Sequence, residues 1–139
     1  MFELEELRKK VEKQDYVAAL QIIDELEEMS KEDKLNKIYS YMVILLIHLI
    51  KQEAEARNTS SWERSIDNSI DNIKRTNKRR KSGGTYANLE TLTEITEEAY
   101  LRAIKEASYE AFEGKLSKTE LEEKINTAAI KKKAISLVL

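Results

Sequence analysis

The residues that can do chemistry in this 139-residue chain are few, and the first to weigh is its one histidine, His48. It lies in the most apolar run of the sequence, MVILLIHLIK, residues 42–51. On a helix turning about 100° per residue it falls off the main apolar stripe, on a flank shared with Tyr41, Ile44, Gln52 and Glu55. One reading is a general base or a metal ligand. The other is a half-buried ring hydrogen-bonded at a seam between helices, as buried polar groups routinely are. The first reading needs company that the chain lacks. There is no second histidine, and the bundle di-iron pattern Glu-x-x-His fails because position 45 is Leu45. No glycine pattern of a nucleophile elbow surrounds any serine, and phosphate-loop and dinucleotide fingerprints are missing. Adjacent acids such as Glu97 and Glu98 do not face each other on a helix. With no cysteine, thiolate nucleophiles, iron–sulfur clusters, cysteine zinc sites and disulfides are excluded. The expectation is a non-catalytic protein without cofactor or metal, in which His48 braces the fold.

The second chemical feature is the run KRTNKRRK, residues 74–81. Lys74, Arg75, Lys78, Arg79, Arg80 and Lys81 stand there with no acid between them. Cations at a helix C-terminus are favoured by the exposed carbonyls, so a solvated helix end explains the run. An electrostatic footprint for phosphate backbones explains it too. Stacking aromatics are sparse nearby: Trp62, three turns back, and Tyr86. Trp62 is read as a core anchor that locks the entry of a helix. The formal net charge of −2 points to no partner class.

These residues must be held by helices. The chain has no proline and three glycines, and its charged and apolar composition favours long helices. Residues 2–13 form an amphipathic helix through Leu4, Leu7 and Val11. Asp15 caps a second, with Val17, Leu20, Ile23 and Leu26 on its stripe. Ser30 and Asp33 form a variant capping box opening a third, about 31–56, striped by Leu35, Ile38, Met42, Leu45 and Leu49. Because Ile44 and Ile47 make it apolar all round, this helix is expected at the centre. Ser60 with Glu63 predicts another capping box, before the stripe Trp62, Ile66, Ile70, Ile73. SGGTYAN is a loop where Gly83 and Gly84 take positive φ. A fifth helix fits 88–113, ended by Gly114. Ser117 with Glu120 opens a sixth through about Ala134, and the tail AISLVL is apolar. The predicted product is an all-α antiparallel bundle of about five to six helices in a single domain, 1–139. The longest apolar run is about half the roughly 20 residues of a membrane span, and no leader is visible, so a soluble, cytoplasmic protein is expected.

DELEEMSKEDKL (24–35), then VILLIHLIK, then SSWERSIDNSIDNI, resembles the domain of unknown function 29 family, found chiefly in cyanobacteria and other bacteria. His48, Leu49, Ile50 and Lys51 match its His-Leu-Leu-Lys-like motif. Ser61, Trp62, Ser65, Ile66 and Ile73 match its Ser-Trp helix, and EEAYLRAIKEA (97–107) is similar to a later one. The resemblance covers roughly 15–107, leaving the C-terminal helix and tail, 117–139, outside. Ser69 and Ile70 replace the family's usual Gln-Arg pair, and its early tryptophan and mid-chain proline are missing. The resemblance implies an all-helical fold and no established activity. It also suggests that His48 and Trp62 meet, with a ring nitrogen of His48 bonding the 57–61 loop. The functional expectation is a protein-binding or self-associating module, with the acidic helices and Ile135–Leu139 as candidate surfaces. A nucleic-acid-binding accessory protein using the basic run is the alternative, and no membrane is involved.

Overall fold

The computed structural model describes residues 2–81 and 83–139; Met1 and Ser82, the latter in the expected SGGTYAN loop, lie outside it. Among the described residues the chain is all-α. It comprises α1 (Phe2–Glu12), α2 (Tyr16–Glu55), α3 (Ser60–Asn77), α4 (Leu89–Glu110), a 3-10 turn (Ala111–Gly114), α5 (Lys118–Glu122) and α6 (Thr127–Val138). None of these helices is long and apolar enough to cross a membrane.

The main departure from the sequence reading is α2. Two helices were expected with a break at Ser30; one helix of 40 residues runs through it. No glycine or proline lies between Asp15 and Ala56, so nothing stops the i→i−4 ladder there. A capping-box pattern acts only where amides are left unpaired, and inside an unbroken helix there are none. Asp15 does cap α2, accepting from the Ala18 amide at 3.2 Å.

The described residues group into two compact units, one ending at Lys34 and one comprising Leu35–Leu139. In the first, α1 closes at Gln14, which takes a left-handed φ of 61°. The Gln14 and Asp15 amides return to the Val11 and Lys10 carbonyls, a Schellman closure. Ala19 is buried, and Leu7, Ile22, Ile23 and Leu26 are half-buried. Val17 and Leu20, expected on the buried stripe, are instead exposed.

The second unit is a helical bundle around one apolar cluster. Ile38, Met42, Leu45, Leu46 and Ile50 of α2 are fully buried in it, with Ile66 and Ile73 of α3, Leu92 and Ile104 of α4, Leu121 of α5, and Ile130 and Val138 of α6. α4 packs against the 3-10 turn, α5 and α6, and α3 packs against α6. The α2 stripe is the predicted one. It is not enclosed on every side, since Ile44 remains exposed. The apolar tail belongs to this core: Ala134 and Val138 are buried from the last turns of α6. The expected sixth helix is two. The Ser117–Glu120 capping box opens α5 as predicted, and Asn126 caps α6 through the Ala129 amide. The amide of Asn126 itself donates to Glu53 Oε2 on α2 at 2.8 Å. A partner 73 residues away therefore fixes this break, which local pattern does not reveal.

Candidate functional site

Lys51 and Trp62, from the two motifs singled out in the sequence, meet at the foot of α2. The Lys51 ammonium stands 4.8 Å from the centroid of the Trp62 ring. The Arg57 guanidinium stands 4.6 Å from the same ring. Such contacts contribute about 0.5–2 kcal/mol each, more as they are desolvated. Trp62 is held in place because Thr59 caps α3, its Oγ1 accepting the Trp62 amide at 3.1 Å. The cap thus falls one residue before the expected Ser60, and Ser60 and Ser61 are left exposed. Ile66, one turn beyond Trp62, is a core residue.

Lys51 is only 7% exposed. A buried ammonium requires a counter-charge, and Glu110, the last residue of α4, supplies it at 3.3 Å. The Glu110 side chain is 51% exposed. Around this pair opens a cleft of about 540 Å³, lined also by Glu55, Arg57, Phe112, Glu113 and Lys115. Glu55 pairs with Arg57 at 3.2 Å and Glu113 with Lys115 at 3.6 Å.

Both backbone rims of the cleft are strained. Ala56, between Glu55 and Arg57, has φ 49°, and Phe112 and Glu113 have φ 51° and 59°. The left-handed region costs a non-glycine residue roughly 1–2 kcal/mol. At Ala56 it completes a Schellman closure, with Ala56 N–H to Glu53 O and Arg57 N–H to Gln52 O. At Gly114, φ 75°, glycine is required twice over, because a Cβ would lie 2.8 Å from the Tyr109 carbonyl oxygen.

His48 is not among the residues that line the cleft over Lys51. Its Nδ1–H donates to the Ile44 carbonyl at 2.8 Å, one turn back on its own helix, and the ring is half-buried. The bond expected from His48 to the 57–61 loop is made instead by Gln52, whose Nε2 donates to Asn58 Oδ1 at 2.7 Å. The reason is reach: His48 stands about two turns before the end of α2 at Glu55, whereas Gln52 stands in the last turn.

The basic run is divided by the end of α3 at Asn77. Lys74 and Arg75 sit in the last helical turn; Lys78, Arg79, Arg80 and Lys81 follow in the loop, and all six are exposed. The loop is pinned. The buried Asn77 side chain accepts the Ala87 amide at 2.7 Å and donates to the Ala87 carbonyl at 3.1 Å. Tyr86 N–H returns to Asn77 O, Arg79 N–H to Gly84 O, and Lys78 bridges Thr85. Gly83 and Gly84 take φ of 73° and 72°, as their type predicted. The Arg79 guanidinium lies 5.4 Å from the Tyr86 ring.

A second hollow, of about 550 Å³, lies along α4 and α6 between Leu89, Glu97, Thr127 and Lys131. Of the three charged residues that line it, Glu97, Lys131 and Lys132, the first two pair with each other. Lys131 bonds Glu97 at 2.8 Å and covers the Tyr100 ring at 4.6 Å. Burial pushes the Tyr100 phenol up from its ordinary range, partly offset by its hydrogen bond with Thr127. The cleft over Lys51 is chemically the richer of the two, since only it contains a buried charge.

Sequence reasoning singled out Lys51 as a motif residue and Trp62 as a core anchor, and it gave no site role to Arg57, Glu110 or Phe112. No local signal marks them: Glu110 reaches Lys51 across 59 residues. No curated protein and no solved structure matches the chain. The family model for the domain of unknown function DUF29 matches residues 3–131, extending the resemblance seen over 15–107 into α1 and α6, and the chain belongs to that family.

Proposed function

We propose that this DUF29 protein is a non-catalytic interaction module that binds protein through α1 and the first half of α2. The observation that carries this reading is the distribution of exposed apolar side chains. Among the described residues, seven of the twelve large ones, Phe2, Leu4, Val11, Tyr16, Val17, Leu20 and Met29, fall before Lys34. Val17 is 73% and Leu20 59% exposed, one turn apart on a single helix. Helical units below about 40 residues rarely bury enough surface alone and use disulfides, metals or association. Here there is no cysteine. Exposed apolar groups concentrated in one unit of a fold mark association sites. A reducing bacterial cytoplasm suits a chain without cysteine. The tail Ile135–Leu139 is a weaker candidate surface, because Val138 is committed to the core.

The test is sedimentation of the purified chain at low and high salt, followed by affinity capture if it is monomeric. Val17→Glu with Leu20→Glu should abolish association while leaving the helical signal intact, and high salt should not weaken it. A monomer whose captured partners are the same with and without the two substitutions would sink the reading.

The nucleic-acid alternative is supported by the pinned loop, which presents Lys78, Arg79, Arg80 and Lys81 to solvent beside Tyr86. Binding of that kind should fall steeply with salt and be lost when these four become Gln.

A further inference from the structure

We propose that the cleft over Lys51 is a binding site for a carboxylate, which takes the place of Glu110 on the buried ammonium. An ammonium has three N–H donors. Lys51 makes one hydrogen bond, to Glu110, and one ring contact, to Trp62. The bond is 3.3 Å long, beyond the roughly 2.7–2.9 Å of a well-made charge-assisted pair. The ammonium's other two N–H donors make no bond to the described residues, which leaves them able to serve a ligand in the cleft.

Glu110 is poised to be displaced. It ends α4, it is half exposed, and its carboxylate loses little on swinging into water. The seat it would vacate is rigid, because the Schellman closure at Ala56 and the left-handed Phe112 and Glu113 fix both rims. Trp62 and Phe112 add aromatic surface, and about 540 Å³ lies in the range of small-molecule sites.

Charge selects the ligand class. Lys51, Arg57 and Lys115 are balanced by Glu55, Glu110 and Glu113. A monoanion replacing one of these carboxylates preserves that balance, whereas a dianionic phosphate would meet the remaining acids. The carboxylate of a small metabolite and that of a chain terminus offer the same chemistry.

Trp62 is the chain's one tryptophan, so its emission reports on the cleft directly. The full chain is titrated at constant ionic strength with acetate, glutamate, an N-acetylated dipeptide ending in a free carboxylate, its amide, and inorganic phosphate. The expected result is a saturable change with free-carboxylate probes and none with the amide. Acetate or glutamate responding would assign a metabolite, and the dipeptide alone a chain end. Lys51→Met should lower affinity at least about tenfold, as loss of a buried charge partner does. Glu110→Gln should raise it by about three- to fivefold, because an exposed competitor is removed. If Lys51→Met does not fold, by circular dichroism, the Glu110→Gln titration decides. No response to any carboxylate, equal response to the amide, response to phosphate alone, or unchanged or weaker binding by Glu110→Gln would each overturn the proposal.

Discussion

Replacing Asn77 by alanine removes both bonds of the clamp that closes the α3–α4 loop. The Ala87 carbonyl keeps a partner, Thr85 Oγ1 at 2.9 Å. The Ala87 amide does not: its acceptor is Asn77 Oδ1, and the residue is 1% exposed. An orphaned buried N–H costs about 1–3 kcal/mol, and the second bond contributes about 1 kcal/mol. The loss is therefore about 2–4 kcal/mol. At roughly 3–5 °C per kcal/mol for a chain of this size, the melting temperature should drop by about 6–20 °C. The assay is thermal unfolding by circular dichroism, with amide exchange at Ala87 as the local readout. Asn77→Asp separates the two bonds. It keeps the acceptor for the amide but sets a carboxylate oxygen against the Ala87 carbonyl, so its folded-state pKa is raised. A carboxyl group raised on folding destabilises increasingly as pH climbs from its unfolded value, near 4, through its folded value. The Asp variant should thus regain stability relative to the Ala variant between pH 7 and 4. An Ala variant within about 0.5 kcal/mol of the parent, or an Asp variant with no such relative pH dependence, would refute the reasoning.

Gly114→Ala combines a left-handed φ with a 2.8 Å approach to the Tyr109 carbonyl, and should lower stability by about 1–3 kcal/mol in urea unfolding. Ala56→Gly should do the reverse. Relief of roughly 1–2 kcal/mol of left-handed strain exceeds the roughly 0.4–1 kcal/mol of added unfolded-chain entropy, and a raised melting temperature is the sign. The Ser117 backbone and side chain hold the Glu120 carboxyl below its usual 4.5. That stabilisation is fully present above 4.5 and is lost as pH falls through the lower folded value. Glu120→Gln should flatten the acid limb of stability against pH. Truncation after Lys133 removes the buried Ala134 and Val138, and should cost about 2–4 kcal/mol of fold stability, visible as earlier melting even in a monomer.

Some elements were legible because their signal is local. The α2 stripe from Ile38 to Leu49 repeats with the helical period, and Ser117 and Glu120 satisfy each other within one turn. Others misled for the same reason. Ser30 carries a cap's residue type but sits where no amide is free. Val17 and Leu20 have core spacing but face water. In the candidate site, the motif residues His48, Lys51 and Trp62 were all prominent in sequence, yet their environments differ: His48 serves its own helix, while Lys51 and Trp62 meet.

By itself the sequence determined an all-helical chain, its long central helix, its glycine-bearing turns and the exclusion of thiol and paired-histidine chemistry. These depend on backbone propensity, period and residue type, all readable within a few positions. Only the tertiary structure decided that α6 is separate and that Lys51 shares a cleft with Glu110 and Phe112. Those outcomes turn on groups brought together across tens of residues, and no short-range pattern encodes such a meeting.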